Sequence, residues 1–164
     1  MTRDLFGAGE EGRETGEIVP GARLLRRFAL ASAETLLARI AEVAATAPFR
    51  NMVTPGGHTM SVAMTSCGGA GWITDRRGYR YAATDPETGR SWPAMPAEIL
   101  VLAEAAAARA GYPGFAPDSC LINRYAPGAR MSLHQDRDER DLSAPIVSVS
   151  LGLTARFLFG GLAR

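Results

Sequence analysis

The sequence has no lysine, only two cysteines and two histidines, and no long apolar run. All eighteen basic residues are arginine and the net charge is +1, so composition does not indicate a nucleic-acid-binding protein. Arginine suits binding to phosphate groups and base edges, but biased codon usage explains the many arginines at least as well. Cys67 and Cys120 lie 53 positions apart and form neither a disulfide framework nor a metal pair, so we expect free thiols in a reducing cytoplasm. The most continuous apolar stretch, 99–110, contains Glu104 and is too short to span a bilayer.

The remaining composition is that of one globular domain. The chain has 164 residues, of which 46% are hydrophobic, enough for a hydrophobic core. Residues 1–17 contain few apolar groups, so we expect a disordered tail before a domain at 18–164. The pattern predicts helices from Ser32 to about Ala47 and from Pro96 to about Ala110, and strands within 19–28, at 146–153 and from 156 to 159.

The most informative stretch runs from 119 to 138 and is centred on His134-Gln135-Asp136. A histidine and an aspartate two positions apart on extended chain point to the same face. Asn123 and Tyr125 repeat this spacing upstream, and Pro127-Gly128 fits the two central positions of a type II turn. The stretch therefore predicts a strand, a tight turn and a second strand.

His134 and Asp136 are candidate metal ligands. A neutral imidazole beside a carboxylate suits Fe(II), Mn(II) or Zn(II), and the two groups are part of the facial two-histidine, one-carboxylate iron site. By itself His-x-Asp is a weak signal, since many surface loops contain one. The charged run 136–141 is likewise typical of a solvated loop.

Large aromatic residues stand among glycines and arginines between 69 and 81. Such a segment suits a surface on which nucleic-acid bases stack. The alternative is that Trp72 and Tyr81 only anchor loops to the core, and the residues alone favour that alternative.

The segment INRYAPGARMSLHQDRD, 122–138, resembles the signature of the AlkB family, the Fe(II)- and 2-oxoglutarate-dependent dioxygenases that reverse alkylation damage in nucleic acids. The segments 49–57, 59–65, 92–96 and 144–153 are also similar to bacterial members, so the resemblance covers nearly the whole chain from about residue 21. It implies an α+β, mainly β fold: a double-stranded β-helix, or jelly roll, with N-terminal helices and a substrate lid.

The resemblance assigns roles to residues that match the family pattern. His134 and Asp136 are expected to be the catalytic metal ligands, and Asn123 and Tyr125 to hydrogen-bond 2-oxoglutarate. Trp72 is expected to sandwich the damaged base against His134, with Tyr79 in the same pocket. The other substrate positions are Asp138, which would accept from the exocyclic amine, and Thr54, Met64, His58 and Arg164.

Other family features have no counterpart in the sequence. Family members have a second histidine ligand and two arginines for 2-oxoglutarate downstream of the region matched here. We therefore expect the chain to supply about the first half of the barrel and to be a truncated, inactive fragment. His58 is the second histidine, but it lies in the lid, where contact with substrate or solvent is expected more than metal ligation.

The implied reaction is oxidative demethylation of 1-methyladenine and 3-methylcytosine, which consumes O2 and 2-oxoglutarate and releases formaldehyde, succinate and CO2. The expected partners are single- or double-stranded DNA and also RNA, with the base flipped out of any duplex. We expect a cytoplasmic monomer without a membrane partner. The alternatives are an oxygenase acting on a protein or small molecule, and a non-catalytic nucleic-acid-binding remnant.

Overall fold

The computed structural model describes residues 3–4, 15–136, 139 and 141–160. In chain order the elements are β1 Arg3–Asp4, β2 Thr15–Val19, β3 Ala22–Leu25, a 3-10 helix Leu30–Ser32, α1 Ala33–Thr46, β4 Ala63–Gly68, β5 Gly71–Asp75, β6 Gly78–Ala82, α2 Ala97–Ala110, β7 Ser119–Arg124 and β8 Leu158–Phe159. Within these residues the strands form four antiparallel pairs: β1 with β8, β2 with β3, β4 with β7, and β5 with β6.

The two predicted helices are confirmed. Helix α1 begins after Ser32, and Leu36 and Val43, seven positions apart, lie on its buried face. Leu37 is 49% exposed because it lies one residue step around the helix from Leu36. Helix α2 ends at Gly111, whose left-handed φ of 101° lets its N–H donate to the carbonyls of the last turn. Within the described part of the chain, neither helix is long and apolar enough to cross a membrane.

Strand β4 lies at the centre of the core, and its residues 63–67 are all buried. On one face Cys67 packs with Val43 of α1 and Ile122 of β7. Thr65 is on this face too, and its hydroxyl donates to the Ala47 carbonyl at 2.6 Å, which fixes β4 to the end of α1. The opposite face of β4 contributes to a second buried cluster: Ala47, Met52, Val62, Met64, Ile73 and Trp92.

The hairpin of β5 and β6 packs on this second cluster through Trp92. The Trp92 indole N–H donates to the Ala82 carbonyl at 2.9 Å, and any Cβ at Gly71 would overlap the indole ring. The hairpin turn is closed by Arg80, whose guanidinium pairs with the Asp75 carboxylate at 2.7 Å. These contacts hold the hairpin beside β4 in a fixed orientation.

Several predicted extended segments differ in the structure. The first strand of the central stretch is β7, and the turn is confirmed by an Ala129 N–H donating to the Ala126 carbonyl at 2.9 Å with Gly128 at φ 83°. The predicted strands at 130–136 and 146–153 are wrong, and the predicted return strand from 156 to 159 shortens to β8. Alternation alone does not make a strand: it needs a neighbour for its backbone hydrogen bonds, and no strand in the described chain lies beside these segments.

The N-terminal boundary also differs from the prediction. Residues 15–17, assigned to a disordered tail, instead lie in β2, which pairs with β3 from Thr15 opposite Leu25 to Val19 opposite Ala22. Arg3 and Asp4 pair with Phe159 and Leu158. Backbone ladders define these strands.

Candidate active site

The His134 and Asp136 side chains face each other. His134 Nε2 lies 3.4 Å from Asp136 Oδ1, and each side chain is about half exposed, at 52% and 55%. His134 Nδ1 lies 2.7 Å from the Ser132 carbonyl oxygen. Because a carbonyl only accepts, Nδ1 carries a proton, and Nε2 is the ring atom that faces the carboxylate.

This arrangement favours a cation between the two groups. A lone pair and a carboxylate oxygen repel each other unless a proton or a metal ion lies between them. Two atoms 3.4 Å apart can both reach one transition-metal ion at bond lengths of about 2.1 Å, with an angle of about 110° at the metal. The Ser132 carbonyl fixes the ring as metal-binding histidines are usually fixed. The pair therefore fits Fe(II) as two neighbouring ligands.

No third protein ligand joins the pair among the residues that the structure describes, which contain no group of three or more His, Cys, Asp or Glu side chains able to hold a metal. His58 closes a tight turn instead. Its carbonyl accepts from the Thr54 N–H at 2.9 Å, and its own N–H donates to the Thr54 hydroxyl at 3.2 Å. His58 is thus an exposed residue of the turn 54–58.

The expected 2-oxoglutarate residues lie at the end of β7. Asn123 is opposite Met64 in the register of the sheet, and Tyr125 follows with 51% exposure. Arg124 points to the other face, where its guanidinium lies 4.5 Å from the centroid of the Phe49 ring. Burial of its ring raises the Tyr125 pKa, so the phenol is a neutral hydrogen-bond donor.

The aromatic residues form a stack on the hairpin. The Trp72 and Tyr79 ring centroids are 5.7 Å apart at an interplanar angle of 23°. Trp72 also packs against the core cluster, while Tyr79 is 48% exposed. The structure is therefore compatible with both interpretations of these aromatic residues. Trp72 anchors the hairpin to the core, and the stack offers an aromatic surface.

Two side-chain contacts attach the segment that contains His134 to the rest of the molecule. Before it, the Ser61 hydroxyl donates to the Arg130 carbonyl at 2.9 Å and accepts from the Arg130 N–H at 3.1 Å. After it, the Tyr81 hydroxyl donates to a Glu139 carboxylate oxygen at 2.7 Å. Burial, and then this hydrogen bond, raise the Tyr81 pKa, so the hydroxyl keeps its proton. Sequence analysis missed both contacts because their partners lie 69 and 58 positions apart.

The remaining expected substrate residues differ in where they lie. Met64 is 1% exposed and packs in the core, so the structure does not show it at a nucleotide border. Thr54 is partly exposed in the turn that His58 closes. Asp138 and Arg164 lie outside the described residues. A cleft of about 280 Å³, lined in part by Arg50, Asn51 and Glu87, includes none of the expected site residues.

Comparison with known proteins identifies the family. Residues 21–164 match the model of the 2OG-Fe(II) oxygenase superfamily. The chain is 60% identical over 161 residues to the alpha-ketoglutarate-dependent dioxygenase AlkB of Escherichia coli, covering 98% of this chain and 74% of the relative. It is 54% identical over 118 residues to the AlkB homolog of Caulobacter vibrioides, covering 72% and 52%.

A solved structure supports the fold. That of OsALKBH1 superposes with a TM-score of 0.66 at 23% identity, over 76% of this chain and 61% of that one. The matched residues contain His134, Asp136, Asn123 and Tyr125 in the spacing described above. The chain therefore belongs to the AlkB family of Fe(II)- and 2-oxoglutarate-dependent dioxygenases.

Proposed function

We propose that the chain is part of a nucleic-acid repair dioxygenase that removes methyl groups from 1-methyladenine and 3-methylcytosine in DNA and RNA. The observation that carries this proposal is the His134–Asp136 pair, in which His134 Nε2 and Asp136 Oδ1 lie 3.4 Å apart. Fe(II) and 2-oxoglutarate together supply the activation of O2. Formaldehyde, succinate and CO2 are the proposed products.

His134 and Asp136 hold the iron in this proposal, and the Ser132 carbonyl keeps His134 in the tautomer that leaves Nε2 free. Asn123 and Tyr125 bind 2-oxoglutarate by hydrogen bonds. Their support is positional: both are exposed at the end of β7, and Arg124 between them is turned to the other face. Met64, opposite Asn123, forms the floor beneath this position and does not touch the nucleotide.

The Trp72–Tyr79 stack lines the place of the methylated base. Because the methyl group lies on the pairing edge, the base must leave a duplex or come from a single strand. The exposed Tyr79 ring suits stacking, and Thr54 and His58 in the lid turn lie at the nucleotide backbone. Asp138 and Arg164 complete the substrate contacts in this proposal.

We also propose that these strands are part of a jelly roll and that this chain alone binds iron weakly. The support is the absence of a third ligand among the described residues. If four zinc ligands supply about 10–16 kcal/mol, one ligand supplies about 3 kcal/mol, and its absence weakens binding about a hundredfold. We place the chain in the cytoplasm as a monomer, where its two free thiols stay reduced.

The test is a demethylation assay on an oligonucleotide that contains 3-methylcytosine, with Fe(II) raised about a hundredfold above the level for a three-ligand site. At the Fe(II) level for a three-ligand site we expect the chain to be inactive. At the level about a hundredfold higher we expect slow loss of the methyl group, with one succinate formed for each methyl removed, and none in His134→Ala. If a protein or small molecule, and not the oligonucleotide, stimulated succinate formation, the proposal of a nucleic-acid substrate would be wrong. Salt-sensitive DNA binding without succinate at any Fe(II) level would leave only a binding remnant.

A further inference from the structure

The two cysteines are far apart in sequence but adjacent in the sheet. Cys67 of β4 lies directly opposite Cys120 of β7 in the antiparallel register. Cys67 is fully buried, Cys120 is partly exposed, and the two residues pack in the same buried cluster. The sequence, which separates them by 53 positions, gave no sign of this pairing.

The backbone geometry of the pair permits a disulfide. Met64 exchanges both of its backbone hydrogen bonds with Arg50, at 2.8 and 3.0 Å, so its polar groups point away from β7. Because this direction alternates along a strand, Cys67, three residues later, directs its backbone groups toward Cys120. Opposed residues of that kind have Cα atoms about 5.5 Å apart, inside the range of about 4.4–6.8 Å that disulfides span.

We propose that Cys67 and Cys120 form a peroxide-sensitive dithiol site, which closes reversibly to a cross-strand disulfide. The site uses none of the iron-binding residues and stands independently of the proposed repair activity. Its substrate class is hydrogen peroxide and small organic hydroperoxides.

The reaction proceeds in two balanced steps. The Cys120 sulfur attacks the peroxide O–O bond and takes one oxygen, which gives a sulfenic acid and releases water, or an alcohol from an organic hydroperoxide. The Cys67 sulfur then attacks the sulfenic sulfur, the S–S bond forms, and the oxygen leaves as a second water with the Cys67 proton. Two thiols are thereby oxidised and one peroxide is reduced.

The surroundings of each cysteine indicate which one attacks the peroxide and which one resolves the sulfenic acid. Cys120 is the attacking residue because it is the partly exposed one. The neighbouring Cys67 thiol lowers the Cys120 pKa, whereas the Cys120 thiol and burial raise the Cys67 pKa. Cys67 is therefore shielded from peroxide and placed to resolve the sulfenic acid.

The disulfide would be reducible and would stiffen the site. Directly opposed Cβ atoms lie about 4.5–5.5 Å apart and must approach to about 3.8 Å in a disulfide, and such strain makes the bond easier to reduce. Asn123 lies three residues beyond Cys120 on the same strand. Oxidation would thus join the strand that carries Asn123 covalently to the core strand β4.

The experiment treats the reduced chain with one equivalent of hydrogen peroxide and measures its intact mass. We expect a loss of about 2 Da, no remaining maleimide-reactive thiol, and full reversal by dithiothreitol. Trypsin cleaves after arginine, so the unreduced digest should contain peptide 51–76 linked to peptide 110–124. The oxidised chain should unfold about 5–10 °C higher than the reduced chain.

Two variants provide the controls. In Cys67→Ser, Cys120 should still be oxidised but without the loss of mass, and a sulfenic-acid reagent should trap it. In Cys120→Ser, the buried Cys67 should resist peroxide. A wild-type chain that gains about 32 Da or forms only intermolecular dimers would overturn the proposal, and this result does not depend on either variant folding.

Discussion

The strand pair that places Asn123 and the segment that places the proposed metal ligands are held in different ways. The strand pair β4–β7, which places Asn123, is a continuous ladder of six opposed residues with a buried face on each side. The segment 130–136, which places His134 and Asp136, has no ladder and is mostly exposed. Its contacts include the hydrogen bonds of Ser61 with Arg130 and of Tyr81 with Glu139, and the packing of Met131 on the core cluster.

The part of the chain that stabilises the fold is therefore different from the part that contains the proposed metal ligands. Burial of β4 and β7 supplies the hydrophobic stabilisation, and that part of the structure does not need the metal pair. The segment of the metal pair is held by hydrogen bonds that are individually small and by the packing of Met131, so it is the part that metal binding should order further.

Ile122→Ala should destabilise the chain far more than a matched change in the exposed part. Ile122 is 8% exposed in the core, and removing its outer carbons should lower the free energy of unfolding by about 2–5 kcal/mol. Leu142 is 79% exposed, and Leu142→Ala should change it by no more than about 0.5 kcal/mol. Urea unfolding of both variants measures the contrast, and equal effects would contradict the division.

Gly71→Ala should test how tightly the hairpin is packed on the core. A Cβ at Gly71 overlaps the Trp92 indole, so the free energy of unfolding should fall by about 1–3 kcal/mol. Gly69→Ala is the matched control, because a Cβ there meets only the Asp118 carbonyl oxygen at an ordinary 3.5 Å. Thermal unfolding distinguishes the two, and a tolerated alanine at Gly71 would show that the hairpin can move away from Trp92.

Tyr81→Phe should loosen the segment that contains the metal pair. The variant loses the hydrogen bond to Glu139, a cost of about 0.5–1.5 kcal/mol in stability. Amide hydrogen exchange should rise in 132–139 but stay unchanged in β7. Tyr112→Phe, at a partly exposed tyrosine after α2, is the control and should leave both regions unchanged. If Tyr81→Phe changed the exchange rate equally in both regions, or in neither, this contact would not be what holds the segment.

The smallest expected effect is a pH dependence at the hairpin turn. Hydrogen bonds from Arg80 and from the Arg77 N–H hold the pKa of Asp75 at about 2, below its usual 3.8. The folded chain binds this proton less readily than the unfolded chain, so the stabilisation is complete above pH 4 and is lost as pH falls toward 2. In Asp75→Asn the free energy of unfolding should fall slightly less between pH 4 and pH 2 than in the wild-type chain. The same fall in both would show that Asp75 does not cause it.

Local signals predicted the elements that are stabilised locally. The helix after Ser32, the helix that ends at Gly111, and the Pro127-Gly128 turn follow from residue type and spacing, and the structure confirms all three. The spacing of His134 and Asp136 also correctly placed them side by side. The strand at 146–153 failed because alternation reports which face is apolar and not whether a partner strand is present.

Contacts across long sequence separations were beyond single-sequence reasoning. The Tyr81–Glu139 hydrogen bond and the Cys67–Cys120 pair depend on how β4, β6 and β7 come together, and no local pattern encodes them. Met64 illustrates the same limit. Its position in the family pattern indicated a substrate contact, but the packing on both faces of β4 buries it.

The central claim is that His134 and Asp136 bind one divalent metal ion together. Isothermal titration of the chain with Mn(II), which replaces Fe(II) without oxidation, tests it most directly. We predict one site per chain, weakened about a hundredfold in His134→Ala and in Asp136→Ala, with the double variant little worse than either single variant. Binding that is unchanged in both single variants would contradict the account, since the ion would then lie elsewhere.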